Sequence, residues 1–160
     1  MWRDDINVRV QGVTRNYIDV IIENGISWQF TGVYGEPEWN QKHVTWEALR
    51  SIKGDLSTPW LLMGDFNEIL YNIEKEGSRP RPQRQMQAFH DVLSECNIND
   101  MGFVGDRFTW RRGQIRERLN RALANPQWVD MFPHAALINS KMPRSDHRPI
   151  LLDMSYFRGT

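Results

Sequence analysis

Apolar and polar positions alternate over the first third of the chain, and that period predicts strands. Val8 to Thr14 and Tyr17 to Glu23 are rich in β-branched residues and are separated by Arg15-Asn16, a hairpin signal; Ser27 to Tyr34 continues the meander after Asn24-Gly25. The period then changes. From His43 to Leu56, apolar side chains at Trp46, Leu49, Ile52 and Leu56 fall near a helical repeat and predict an amphipathic helix. A second one follows at Met86, Phe89, Leu93 and Cys96, after a stretch from 71 to 84 whose Gly77, Pro80 and Pro82 mark a loop. Beyond it, Asp100 to Arg112 reads as a turn and a short aromatic strand, and Arg116 to Leu123 as one strand. Asn125-Pro126 opens a brief helix with Asn125 as its cap, and strands at Ala135 to Lys141 and Pro149 to Met154 close the chain. Strands alternating with helices predict an α/β fold in one domain spanning 1–160.

Between the two helices lies the stretch Trp60-Leu61-Leu62-Met63-Gly64-Asp65-Phe66-Asn67. A buried apolar strand ends there in a carboxylate and a carboxamide two residues apart. In extended backbone Asp65 and Asn67 would leave one face while Phe66 entered the core. Gly, Asp and Asn are also ordinary turn residues, so an Asx-type turn is an equal alternative. A similar strand-end arrangement recurs far along the chain, where Ser145-Asp146-His147 sets a carboxylate beside an imidazole ahead of Pro149-Ile150-Leu151-Leu152. Three consecutive side chains diverge, so Ser145, Asp146 and His147 are not a serine-hydrolase triad.

Composition narrows the classes. The chain has 160 residues, 40% hydrophobic and 25% charged, enough to bury a sizeable core, and no apolar run reaches the length of a membrane span. A single cysteine, Cys96, excludes an internal disulfide, makes a structural zinc site a poor reading, and fits a reducing, intracellular setting, nuclear or cytoplasmic. Formal net charge is zero but unevenly spread: residues 1–78 hold 7 basic and 12 acidic side chains, and residues 79–160 hold 13 and 8. The later set reads either as a phosphate-facing surface, built from Arg79, Arg81, Arg84, Arg111, Arg112, Arg116, Arg118, Arg121, Arg144 and Arg148, or as a solvated face with internal pairing.

Gly64-Asp65-Phe66-Asn67 followed at long range by Ser145-Asp146-His147 resembles the endonuclease/exonuclease/phosphatase superfamily, which includes DNase I, apurinic endonucleases and sphingomyelinases. Phe30 to Glu38, Glu74-Lys75-Glu76-Gly77, Phe108-Thr109-Trp110 and Glu117 to Ala124, in that order, are similar to the endonuclease domain of plant LINE-type retrotransposons. The resemblance implies a DNase I-like two-sheet sandwich flanked by helices and hydrolysis of a DNA phosphodiester by water with Mg2+ or Mn2+. It implies Asp65 as base or orienter of the water, Asn67 and Tyr34 as donors to the phosphate, Asp146 at the metal, His147 on the phosphate, and Thr109 and Trp110 near the substrate strand. Arg79, Arg111, Arg112 and Arg144 would be backbone contacts.

Two departures modify this expectation. The family carries an additional N-terminal strand, helix and strand bearing an asparagine and a metal-binding glutamate, and Met1-Trp2-Arg3-Asp4 aligns after both; Glu36, Glu38 and Glu68 are weak substitutes by spacing. At Asn120 the family has an aspartate that accepts from the active-site histidine, and a neutral carboxamide cannot stabilise an imidazolium that way. The expectation is weak metal binding and attenuated or lost cleavage, with a noncatalytic nucleic-acid-binding or protein-interaction module as the alternative. An unpaired sheet edge would further favour a homodimer or a protein partner.

Overall fold

The computed structural model describes residues 5–141, 146 and 148–156. Three antiparallel strands, β1 (Asn7–Val13), β2 (Tyr17–Glu23) and β3 (Ser27–Tyr34), form the expected meander. A 3-10 turn at Trp39–Gln41 leads into α1 (Lys42–Ile52), which carries the chain across to β4 (Trp60–Asp65), parallel to β3. The helix stops short of the predicted end, so Leu56 stands exposed in the loop rather than on the apolar stripe. The 71–84 loop holds a 3-10 turn at Asn72–Glu74 and the two-residue β5 (Lys75–Glu76), and then α2 (Gln83–Cys96) begins.

After α2 come β6 (Asn99–Asp100), β7 (Val104–Gly105), β8 (Trp110–Arg112), β9 (Ile115–Glu117) and β10 (Asn120–Ala124). The single strand expected from Arg116 to Leu123 is therefore two. Arg118 and Leu119 break it, because β9 pairs with β5 and β8 in a small sheet while β10 lies against β4 in the large one. Last come α3 (Pro126–Met131), β11 (Ala136–Asn139) and β12 (Ile150–Asp153). Asn125 caps α3 as expected, its Oδ1 accepting from the Trp128 N–H at 3.0 Å; the same oxygen accepts from the Trp60 N–H, which ties α3 to the start of β4.

The large sheet runs β1-β2-β3-β4-β10-β6, and a second runs β12-β11-β7. The period-2 pattern of the central strands sorts their side chains between two cores. Leu62, Val33, Trp60 and Leu123 pack with Trp46, Leu49, Phe89 and Val92 of α1 and α2. On the opposite face Leu61, Phe30 and Ala122 meet Trp128 of α3 and Leu137, Ile150 and Leu152 of the second sheet. This is the expected α/β sandwich, sheet on sheet, with both long helices against the large sheet. Among the described residues no helix is long and apolar enough to cross a membrane.

Candidate active site

Register places the site. Tyr34 of β3 pairs with Asp65 of β4, and Asp65 pairs with Asn120 of β10, so three polar side chains stand in a row across three adjacent strands at one end of the sheet. Paired positions share a face. Theirs is the face that continues downward as Gly32, Met63 and Ala122, toward the second sheet.

Beyond Asp65 the strand does not continue in the extended form expected for Asp65 and Asn67. Asn67 adopts φ 51, its N–H donates to Asp65 Oδ1 at 2.8 Å, and its side-chain amide donates to the Gly35 carbonyl at 2.7 Å. The Asx turn and the strand-end site are thus the same object: the turn holds the carboxylate. One Asn67 amide hydrogen is committed to Gly35, leaving the other for a ligand. Phe66 enters the core as expected, stacked on Phe89 at 5.6 Å.

Asp65, Asn67 and Tyr34 line a cleft of about 490 Å³ with Glu38, Trp39, Lys42, Arg81, Gln85, Trp110 and Glu117. Its floor is ionic. Buried Glu68 accepts from Arg81 Nε at 2.7 Å and lies 3.6 Å from Lys42 Nζ; Glu117 accepts from Arg81 Nη2 and lies 3.6 Å from Lys75 Nζ. Lys42 also donates to the Asn67 carbonyl, so it clamps the turn that carries the carboxamide. Burial pulls the Lys42 ammonium below its ordinary pKa, against the opposing pull of Glu68. Neither Lys42 nor Glu117 was expected at the site. Lys42 precedes the predicted helix and Glu117 lies in a predicted strand, and only long-range pairing brings them together beneath the site.

Trp110 lines the cleft. Thr109 does not: it is fully buried, and its Oγ1 accepts from the Leu119 and Asn120 N–H groups, each at 2.9 Å, so it fixes the backbone at Asn120. The exposed Asp146 is tied to β8, its carbonyl accepting from the Arg111 N–H at 2.9 Å. His147 and Arg144 lie outside the described residues.

Much of the arginine-rich half pairs internally. Arg118 and Arg121 bind Glu74 and Asp100; Arg107 and Arg116 bind Glu76; Arg148 binds Asp106. Of the arginines expected to face phosphate, Arg79, Arg84, Arg111 and Arg112 are the ones among the described residues that are exposed and form no ion pair with a described carboxylate. Glu36 and Glu68 are engaged as well, Glu36 by Arg15 and Asn16. Among the described residues no three His, Cys, Asp or Glu side chains converge as metal ligands. A magnesium ion needs only one or two protein carboxylates beside a substrate phosphate, and Asp65 in the cleft offers one.

The sequence model of the Endonuclease/Exonuclease/phosphatase family matches residues 2–147. No curated protein matches the sequence. Solved structures do. The endonuclease domain of TRAS1, a telomere-specific non-LTR retrotransposon, superposes with a TM-score of 0.74 at 16% identity, covering 97% of this chain and 70% of that one. An AP endonuclease from Archaeoglobus fulgidus superposes at 0.63 with 15% identity, covering 93% and 70%. Beta toxin from Staphylococcus aureus, in a mutant with bound magnesium ions, superposes at 0.52 with 16% identity, covering 88% and 55%. The chain thus spans between 55% and 70% of the length of these neighbours.

Proposed function

The chain belongs to the Endonuclease/Exonuclease/phosphatase family, and from that premise we propose that it is a retrotransposon-type endonuclease domain whose phosphodiester-cleaving activity on DNA is attenuated. The observation that carries this reading is the row Tyr34, Asp65, Asn120 across three paired strands, with Tyr34 and Asp65 lining a polar cleft. In the cleavage step a water oxygen bonds to phosphorus, the bond from phosphorus to the leaving sugar oxygen breaks, and that oxygen takes a proton from solvent water. Asp65, held by the Asn67 N–H, orients that water and takes its proton. The Tyr34 hydroxyl and the remaining Asn67 amide hydrogen donate to the non-bridging oxygens, where charge builds in the transition state. Lys42 holds the turn beneath them by donating to the Asn67 carbonyl. A divalent cation, Mg2+ or Mn2+, belongs to the family's chemistry and would add Lewis acidity, with Asp146 as the contributor inferred from the sequence motif.

Attenuation rests on Asn120. A carboxylate beside Asp65 would stabilise a neighbouring imidazolium, the role inferred for His147, whereas the carboxamide is neutral. In the serine-protease triad the corresponding change from Asp to Asn lowers the rate by about 10⁴, which sets the scale for losing such a carboxylate. Supercoiled-plasmid nicking tests the reading. Wild type should nick slowly with magnesium or manganese; Asn120→Asp should be at least roughly tenfold faster, and Asp65→Ala should be slower by about 10² or more. Folded protein that nicks in no version, Asn120→Asp included, would remove the enzyme reading.

One observation favours a second reading, a protein-interaction module that keeps the fold. On edge strand β1 and its neighbour, Val10, Val13 and Ile18 are exposed on the face that elsewhere packs against the second sheet. A homodimer or partner strand would cover them. Sedimentation should then show concentration-dependent association that Val13→Lys abolishes, and a monomer at every concentration would argue against it.

A further inference from the structure

Trp39 is built differently from the other described tryptophans. Trp28, Trp46, Trp60 and Trp128 are buried in the two cores, and Trp110 is half-buried; Trp39 is 64% exposed on a 3-10 turn that buries none of its residues. It belongs to neither core, yet it lines the cleft that contains Asp65. The Arg84 guanidinium, on the first turn of α2, sits 5.9 Å from the centre of its ring, holding one face. Beside it the cleft is lined by a second exposed aromatic, Tyr34, by Pro37 and Glu38, and by the Gln85 side chain. An indole at the lip of a polar cleft, steadied by a cation on one side, offers its remaining face to a flat partner.

We propose that Trp39 and Arg84 form a stacking subsite for one unpaired nucleobase of the strand held in the cleft. The inference rests on the nucleic-acid reading of the site and adds a substrate class to it: single-stranded or locally melted DNA. In a regular duplex both faces of every base are occupied by its neighbours, so the Trp39 ring gains a partner only where a base has left the stack. Arg84 serves twice, as the cation beneath the ring and as positive charge for the phosphate that flanks the stacked base. Stacking on an aromatic face is indifferent to base identity, so the subsite selects strand state and not sequence.

The test measures binding in chelator, without cleavage, by fluorescence anisotropy of a labelled oligothymidine and of a fully paired duplex of equal length. Trp39→Ala should weaken single-strand binding roughly tenfold or more, leave duplex binding within about twofold, and leave the melting temperature unchanged; Trp39→Phe, which keeps a ring, should retain most single-strand affinity. An oligonucleotide bearing one abasic position should lose affinity for wild type but not for Trp39→Ala. Equal loss on both nucleic acids, or no loss on either, would overturn the subsite. Wild-type protein that nicks plasmid while Trp39→Ala binds and nicks like it would overturn the subsite and leave the endonuclease reading standing. Wild-type protein that binds neither oligonucleotide would overturn both.

Discussion

Two glycines set how closely the site's strands approach. A Cβ at Gly64, whose φ is +150°, would stand 2.1 Å from the Val33 carbonyl oxygen, and one at Gly35 would stand 2.2 Å from that of Phe66. Both obstacles are backbone, which cannot rotate away, and Gly35 also donates its N–H to the Asp65 carbonyl at 2.7 Å. The tight pairing of Tyr34 with Asp65 thus depends on the absence of two side chains. Gly35→Ala or Gly64→Ala should cost about 2 kcal/mol or more, since packing overlap and backbone strain add. Urea unfolding checks this as a fall in midpoint at constant slope. The loss of activity should exceed the loss of folded protein under native conditions, because the strain falls on the Asp65 turn.

At the scale of elements, β10, β6 and the turn before β5 are joined by a buried ionic cluster. Arg121, with no exposed side-chain surface, donates to Glu74 at 3.0 and 3.1 Å and to Asp100 at 2.7 Å, and Arg118 donates to the same two carboxylates at 2.8 to 2.9 Å. Burial works against the charged form of Glu74, but Arg121 outweighs it; for Asp100 the hydrogen bonds from Arg118 do the same, and both carboxyls titrate below their ordinary values. The sign follows: the unfolded chain takes up these protons at higher pH than the folded one, so the contribution is complete above about pH 5 and is lost as pH falls through the lowered folded-state values. Glu74→Gln should cost about 3 kcal/mol at neutral pH, leaving guanidinium charge buried with less compensation. Thermal melts from pH 7 to pH 3 should show a shallower acid decline for Glu74→Gln than for wild type.

That cluster also marks the limit of what local pattern reveals. The meander, both amphipathic helices, the central strand and the Asn125 cap were legible because each follows from period, propensity or capping within a few residues. The break between β9 and β10 was not, since Arg116 to Leu123 reads continuously as strand and only the long-range pairing of β9 with β5 and of β10 with β4 divides it. Of the residues that line the cleft, Asp65 and Asn67 were singled out from motif and strand end, and Tyr34 and Trp110 from the family resemblance. Lys42, Glu117 and Trp39 were not, because a charge on a helix or a tryptophan in a loop carries no local sign of facing a cleft.

Across the whole molecule, charge pairing and the placement of tryptophan separate what stabilises the fold from what is left for a ligand. Trp128 is fully buried against Trp28 at 5.8 Å and Phe132 at 4.9 Å, so Trp128→Ala should cost about 3 to 5 kcal/mol, while the exposed Trp39→Ala should change stability by less than about 0.5 kcal/mol. The arginines divide in the same way. Those bound to Glu74, Asp100, Asp106, Glu68 and Glu117 are already paired with carboxylates of the protein, while Arg107 and Arg116 share the one carboxylate of Glu76. Among the described residues of this half, Arg79, Arg84, Arg111 and Arg112 remain. If about four phosphates are neutralised by these, single-strand affinity should fall with salt at a logarithmic slope of roughly −3, well short of the slope that the raw count of arginines suggests. Titrations of the labelled oligothymidine between 50 and 200 mM salt, roughly the range over which such slopes are read, check the value. Arg111→Gln with Arg112→Gln should reduce the slope by about half, whereas Arg148→Gln should leave it unchanged, because the partner Arg148 holds is Asp106 and not a phosphate.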